Sequence, residues 1–385
     1  MEEKRKYCVF ISAAEPSGDA YCASLISALK QAGDDIEFAG VGGEKMEQAG
    51  CVLLEKVADK AVMALNAIRQ AGRFYGLLRR IKAFLKNNRT DLVIVCDSPA
   101  FNFHVAKAAK KLGIKTLFYV APQLWAWAEW RINKLRRCCD RLCCILPFEQ
   151  EWFGQRGVEA VFVGHPLLSE QPRGLAGGQK RYAGFDPQNV SIALMPGSRQ
   201  AEIDTLWRPM QQTAVRIRRK FPNATFTAAT IDDKMKEALR SMQVVGFRCK
   251  YATGSLAEVA RSVDFSIVAS GTATLQVAAA GCPMAIMYQS SRLLWHIIGR
   301  WLIKTKYLSL VNILAGKELV PEFMPYFTST DPIVGTIEEL LQDTNRLVQI
   351  SDELIRLTQP LMQGNASQKV AEIVIDMLHS SASGG

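Results

Sequence analysis

The sequence predicts an α/β fold of two doubly wound parallel-sheet units facing a cleft. Three observations carry this. Short, continuously apolar runs alternate with helix-like segments, the pattern of parallel strands covered on both faces. The alternation breaks once, in the polar, glycine-rich stretch Ser169–Asn189, and then restarts. The 385 residues also exceed what one hydrophobic core usually serves. The boundaries that follow are an N-terminal unit over 1–168, a linker over 169–189 and a C-terminal unit over 190–350. Terminal helices over 351–379 are expected to pack back across the units, ahead of a disordered tail over 380–385.

The elements are expected in this order. Tyr7–Ser12 reads as a buried strand, Ser17–Ala32 as a helix, and Phe38–Val41 as a short strand ending in two glycines. Leu92–Cys96 is an apolar strand and Val105–Leu112 a helix. Thr116–Val120 and Arg141–Leu146 are strands, Phe148–Arg156 a helix and Ala160–Val163 a strand. Beyond the break the strands are Ser191–Met195, Ala224–Ala229, Arg248–Tyr251, Phe265–Ala269 and Met284–Tyr288. The helices between them are Leu206–Lys220, Lys234–Met242, Leu256–Arg261 and Ala273–Ala280.

Composition narrows the class. Hydrophobic residues at 49% and charged residues at 22% are a globular balance. A net charge of +10 suits nucleic acid, anionic lipid or phosphorylated substrates, and does not choose among them. The basic residues cluster at Arg69–Lys86, Arg131–Arg141 and Arg292–Lys306, interleaved with Leu, Ile, Trp or Phe, a texture that suits a lipid headgroup layer. The start of the chain lacks the pattern of a secretory signal. No stretch reaches the about 18 uninterrupted apolar residues of a spanning helix. The ten Cys read as reduced thiols. Cys138, Cys139, Cys143 and Cys144 lack the spacing of paired CxxC knuckles, so they read as buried hydrophobes and no metal is expected.

In open parallel sheets, ligands bind beyond the carboxyl ends of the strands. Five strand ends carry suitable residues. In Ala14–Asp19, Ser17, Gly18 and Asp19 are placed to cap a helix, with an ordinary helix start as the plain alternative. Asp97 is the first polar residue after a buried strand, the place for a general base, and a helix cap is its alternative. In Val120–Trp127, two Trp one residue apart follow Pro and Gln, forming either a packed aromatic corner or a sugar or acyl contact. Gly197, Ser198 and Arg199 form a strand-to-helix turn suited to an anion, and Arg199 can hold phosphate bidentately. Ser270, Gly271 and Thr272 end a strand and open a helix suited to a diphosphate, with Gln276 one turn along. Neither GxxxxGK[ST] nor GxGxxG occurs in these places, which disfavours ATP hydrolysis and nicotinamide chemistry. Of four His, only His165 sits in a motif; beside a hinge it either touches substrate, positions the base or serves structure alone.

Taken in order, these strings resemble the lipid-A-disaccharide synthase family, glycosyltransferases of the GT-B class with two Rossmann-like domains. The matching strings run from about Tyr7 to Leu378. They are EPSGD at Glu15–Asp19, GVGGEKMEQAG at Gly40–Gly50, AVM at Ala61–Met63, DSPAFNF at Asp97–Phe103 and APQLWAW at Ala121–Trp127. PFE at Pro147–Glu149, VGHPL at Val163–Leu167, LMPGSR at Leu194–Arg199, SGTATLQ at Ser270–Gln276 and NILAGKELVPEFM at Asn312–Met324 complete the series. The resemblance implies an N-terminal acceptor domain and a C-terminal UDP-sugar domain. It implies that UDP-2,3-diacylglucosamine donates its sugar to 2,3-diacylglucosamine 1-phosphate with inversion, in lipid A biosynthesis, without cofactor or metal. Asp97 matches the family's candidate base, with His165 the other catalytic candidate. Gly197, Ser198, Arg199, Ser270, Gly271, Thr272 and Gln276 fall to the nucleotide diphosphate. Glu15, Ser17, Asp19, Asn102, Gln123, Trp125 and Asn312 fall to the acceptor or cleft. The sequence departs from the family in having Gln276 for a usual Glu, Ala14 and Ala64 for glycines, and Ala100 where many members have Asp.

Lipid substrates imply work at an anionic membrane, peripherally, on the cytoplasmic face of the inner membrane; the sequence does not give the oligomeric state, and a homodimer is one of the assemblies it allows. Met63, Leu65, Ile68, Trp295 and Trp301 are the expected membrane contacts, among basic neighbours. For most of Ala61–Lys86 the plain alternative is a helix that buries one face and solvates a basic one. Rival readings are a transferase with a soluble acceptor, a UDP-sugar epimerase, and an idle nucleotide or anionic-lipid binder. A nucleic-acid binder is a further rival, but no recognised motif supports it and no nucleic acid is expected.

Overall fold

The apolar runs become strands, and every strand pair is parallel. A computed structural model describes residues 6–57, 67–169, 177–291, 295–296 and 305–382. Contacts divide the chain into two units, one formed by the residues up to Glu170 with those from Leu361 onward, the other by Gln171–Pro360.

The first unit holds β1 (Tyr7–Ala13), β2 (Ile36–Gly42), β3 (Val52–Lys56), β4 (Leu92–Cys96), β5 (Lys115–Tyr119), β6 (Arg141–Cys144) and β7 (Ala160–Phe162). They form one sheet in the order β3-β2-β1-β4-β5-β6-β7. Its helices are α1 (Pro16–Gln31), α2 (Glu44–Gln48), α3 (Ala67–Asn87), α4 (Pro99–Lys111), α5 (Leu124–Trp127), α6 (Ile132–Cys138), α7 (Pro147–Gly154) and α8 (Pro166–Ser169). Phe10, Val93, Val95, Phe103, Phe118 and Phe153 fill the core between sheet and helices. The close passage of β2 over β1 needs glycine, because a Cβ on Gly40 would overlap the carbonyl of Ile11.

The second unit holds β8 (Ser191–Met195), β9 (Thr225–Thr230), β10 (Lys250–Thr253), β11 (Phe265–Ala269), β12 (Met284–Met287) and β13 (Glu322–Phe323), in the order β10-β9-β8-β11-β12-β13. Its helices are α9 (Gly178–Arg181), α10 (Gln200–Lys220), α11 (Asp233–Ser241), α12 (Leu256–Arg261), α13 (Ala273–Ala279), α14 (Leu310–Ala315), α15 (Asp331–Gln342) and α16 (Thr344–Thr358). Trp207, Phe226, Phe247 and Phe265 are buried at its centre. The last helix, α17 (Ala366–Ala382), belongs to the first unit and lies against α1. It carries Ser380 and Ser381 in its final turn rather than in a tail.

Both sheets are thus Rossmann-like, and each reverses its strand order once. The reversal falls between β1 and β4, where Ala13 pairs with Cys96, and between β8 and β11, where Met195 pairs with Val268. A crevice outside the strand ends at such a point is the usual ligand site of this architecture.

Several elements differ from the sequence reading. α4 starts at Pro99 rather than Val105, because Pro99 occupies its first turn, where a missing N–H costs nothing. α10 starts at Gln200, and Pro209 lies inside it without ending it. The short α2, the half-polar β3 and the two-residue β13 carry too little apolar period to show in the sequence.

Candidate active site

At the reversal point of the first sheet, two loops leave adjacent strand ends. Asp97 follows β4, and its amide donates to the carbonyl of Tyr119 at the end of β5 (3.2 Å). Asp97 and Ser98 have φ of 53° and 41°, and Val120, at the end of β5, has 68°. These are the three positive-φ non-glycine residues of the described chain, and all three sit at one edge of one sheet. Such a conformation costs on the order of 1–3 kcal/mol per residue and persists only where surroundings enforce it.

Here the enforcing residue is Asn102. It is fully buried, and its Nδ2 donates to the carbonyls of Cys96 (2.8 Å) and Asp97 (2.7 Å). Its Oδ1 accepts from Ser12 Oγ on β1 (2.7 Å). The expectation that Asn102 faces an acceptor is therefore corrected: it lies under the loop and fixes Asp97. The second loop joins in through Ser98 Oγ, which donates to Glu15 Oε1 (3.1 Å).

Glu15, not Ser17 or Asp19, is the cap residue of α1. Ser17 is half-buried in the first turn. Asp19 is buried and points the other way. Its Oδ1 accepts the amides of Gly43 (2.7 Å) and Met46 (3.1 Å), and its Oδ2 that of Lys45 (3.1 Å). It caps α2 across the sheet edge, so its expected place in the cleft is also corrected.

The aromatic loop after β5 is held by a residue not singled out from the sequence. Trp125 is buried, and its Nε1 donates to Glu149 Oε1 (3.0 Å). Glu149 Oε2 accepts the amides of Ile145 and Leu146. Burial raises the Glu149 carboxyl to about 7 against the pull of these three donors. Trp125 is therefore the packed aromatic corner, while Gln123 and Trp127 are the exposed members of the loop. The PFE string was the signal available for Glu149: a glutamate in a helix first turn reaches back to the amides before it.

His165 is fully buried. Its Nδ1 accepts from the amide of Leu167 (3.3 Å), its Nε2 has no partner, and its ring stands edge-on to Tyr21 (6.4 Å between centroids). A nitrogen so enclosed does not reach a bound substrate, which corrects the expectation of a catalytic or substrate-touching imidazole. Burial lowers its pKa to about 4 from 6.5. The unfolded chain thus binds a proton that the folded chain refuses, so stability is full above about 6.5 and falls as pH drops toward 4. The full loss is roughly 3 kcal/mol. A His165→Phe variant is expected to lose this slope, as melting temperatures taken across that range would show.

At the reversal point of the second sheet, the turn after β8 is filled by the chain itself. Glu202 Oε2 accepts the amides of Ser198 (3.0 Å) and Arg199 (3.2 Å). Gly197, at φ 100°, leaves the space that Glu202 occupies. The two amides expected to serve an anion are thus taken by a carboxylate. The Arg199 side chain is 71% exposed and reaches Glu202 Oε1 only at 3.4 Å, so Arg199 is the part of the turn turned outward. The neighbouring turn follows β11. The Ser270 amide donates to the carbonyl of Met287, and Gly271 (φ 156°) and Thr272 are exposed. Gln276 is half-buried one turn into α13.

Asn312 does not belong to this surface. It is fully buried, donates to the carbonyl of Val320 and to Glu322 Oε2, and accepts the amides of Leu319 and Val320. It shapes the loop entering β13, which corrects the expected acceptor role. Trp295 is half-buried. Met63, Leu65 and Trp301 lie outside the described residues, as does the Ile68 side chain on α3. Among the described residues, no group of His, Cys, Asp and Glu is arranged to hold a metal ion, and no helix is long and apolar enough to cross a membrane.

The chain is similar to known proteins over nearly its whole length. The profile of the family described as lipid-A-disaccharide synthetase matches residues 9–375. A lipid-A-disaccharide synthase of Trichlorobacter lovleyi is 32% identical over 379 residues, covering 97% of this chain and 98% of that one. Among solved structures, a putative UDP-N-acetylglucosamine 2-epimerase from Listeria monocytogenes superposes with a TM-score of 0.66 at 11% identity, covering 98% of this chain and 97% of that one. MurG of Acinetobacter baumannii does so at 0.59 and 14%, covering 97% and 100%. At these identities the structures share the GT-B fold with this chain and carry nothing further.

Proposed function

The chain belongs to the lipid-A-disaccharide synthase family, glycosyltransferases of lipid A biosynthesis, and on that premise we propose that it condenses UDP-2,3-diacylglucosamine with 2,3-diacylglucosamine 1-phosphate. The products are lipid A disaccharide 1-phosphate and UDP, formed with inversion at the peripheral, cytoplasmic face of the inner membrane. The observation that carries this reading is the fixed position of Asp97, first residue beyond β4 at the sheet's reversal point, clamped in a left-handed conformation by Asn102.

In the proposed step, Asp97 takes the proton of the acceptor's 6-hydroxyl as that oxygen forms its bond to the donor's anomeric carbon. The bond from that carbon to the diphosphate oxygen breaks, and its electron pair leaves with UDP. Arg199 and the Ser270–Thr272 turn meet the charge that develops there. Arg199 acts through its guanidinium, since Glu202 holds the turn's amides. Glu15 supports the base from the second loop through Ser98.

The test is an assay of the purified chain with both lipid substrates in detergent, read by mass spectrometry for disaccharide and by NMR for the anomeric configuration. A β-linked disaccharide with stoichiometric UDP supports the reading. UDP binding without product would overturn it in favour of a nucleotide binder.

Gln276 gives a finer check on the donor side. A carboxylate accepts hydrogen bonds more strongly than a carboxamide, by about 1 kcal/mol. Gln276→Glu is therefore expected to tighten UDP binding roughly fivefold by calorimetry. No change would remove Gln276 from the nucleotide site.

A further inference from the structure

The carboxyl edge of the first sheet holds a buried carboxyl group that the proposed step does not use. Glu149 lies in the first turn of α7 and is 1% exposed. Its two oxygens divide three donors. Oε1 accepts from the Trp125 indole (3.0 Å), and Oε2 from the amides of Ile145 (3.2 Å) and Leu146 (3.1 Å). The second oxygen closes the start of α7, as an ordinary cap does. The first reaches across to the loop that follows β5, a bond that a helix start does not need.

What this bond holds is the α5 turn. The loop begins at Val120, whose φ of 68° is an outlier for a β-branched residue. Such a conformation persists only where its surroundings fix the chain. On one side the Ala121 amide donates to the carbonyl of Cys143 on β6 (3.1 Å). Further along, Trp125 is gripped by Glu149 and stands edge-on to Phe148 (5.0 Å between centroids). Leu124 and Trp125 are buried, which leaves Gln123 and Trp127 exposed. Both follow closely on Tyr119, whose carbonyl accepts from the Asp97 amide. A carboxamide that bonds hydroxyls and an indole that covers a C–H face together suit a sugar ring.

We propose that Glu149 is a positioning residue: through Trp125 it fixes Gln123 and Trp127 beside the Asp97 loop, where they contact the acceptor sugar. The identity of that sugar rests on the function proposed above. A proton on Glu149 governs the grip. Burial raises its carboxyl to about 7, opposed by Trp125 and the amides of Leu146 and Ile145. The groups facing it are these donors and, from β6, the Cys144 thiol, which burial and Glu149 keep protonated. A proton settles on Oε1, which gives up one donor, rather than on Oε2, which would give up two. The indole N–H then faces an O–H, so the grip is lost below about pH 7 while the cap remains.

The test uses the full chain and two substitutions that cut the same bond from opposite ends. In Glu149→Gln the carboxamide oxygen stays with the two amides, and its nitrogen meets the indole N–H donor to donor. In Trp125→Phe a ring remains and the N–H goes. Each is expected to raise the KM for 2,3-diacylglucosamine 1-phosphate, and its Kd in detergent without donor, by about tenfold, the worth of a charge-assisted hydrogen bond. The kcat and the affinity for UDP should stay within about twofold. Because one bond is cut, the double variant should be no worse than either single one. In the wild type the acceptor KM should rise as pH falls through about 7, and in Trp125→Phe it should not. A merely structural Glu149 would lower the melting temperature and the active fraction, and so kcat, and would leave the acceptor KM and its pH profile alone. An unchanged acceptor KM in both variants, additive effects in the double variant, or a wild type that binds no acceptor overturns the proposal. A wild type that binds the acceptor more tightly than its variants yet makes no disaccharide would fail the proposed reaction and not the tether. Disaccharide made with an unchanged KM in the variants would fail the tether alone.

Discussion

Asp97→Asn is expected to lower turnover by roughly a thousandfold while leaving the fold in place, the loss typical of removing a general base. Asn is the informative substitution. Asp97 sits at φ 53°, a conformation Asn tolerates far better than most residues. The amide bond to Tyr119 and the carbonyl bond from Asn102 belong to the backbone and survive. The substitution removes the carboxylate's charge and its ability to accept a proton, so UDP binding should be unchanged and the effect should fall on kcat. Asp97→Ala adds the cost of an alanine at positive φ, which mixes strain with chemistry. An Asp97→Asn variant that turned over within a few-fold of wild type would remove Asp97 as the base. The buried His165 would not take its place, because its Nε2 is enclosed and has no hydrogen-bond partner among the described residues.

Much of this fold was legible because its central strands are continuous apolar runs. Leu92–Cys96 and Phe265–Ala269 are buried at every residue, and only a doubly covered parallel strand asks for that. The candidate site was legible in position and less so in role. Polar residues at strand ends are visible in sequence, but the direction in which each points is decided by what packs beside it. Asn102, Asp19, Asn312 and Glu202 illustrate this: each satisfies backbone groups of a nearby loop or helix start. Such residues look like ligand-binding groups because they have the same chemistry, hydrogen bonding to amides and carbonyls. Arg199 and Gly271 differ in being exposed on their turns, which no spacing in the sequence reveals.

The second large effect is expected at Asp19, and it is structural. Its carboxylate answers three backbone N–H groups at the start of α2, in a site only 3% exposed. In Asp19→Ala those donors lose their acceptor, and the enclosed space admits water poorly. Each unmet buried donor costs about 1–3 kcal/mol, so the variant should lose roughly 3–5 kcal/mol. The favourable contact of the carboxylate with the helix start disappears as well. In a unit of this size that is a fall of roughly 10 °C in melting temperature. Asp19→Asn should fall by less. Its Oδ1 can still accept from Gly43 and Met46, while its amide nitrogen turns a donor toward the N–H of Lys45. Calorimetry resolves the question, since the first unit should melt early while the second keeps its transition. A variant that melted with wild type would mean that the amides of Gly43, Lys45 and Met46 find water or another acceptor. In that case the EPSGD loop would be free of the tether that now ties α1 to the β2 edge.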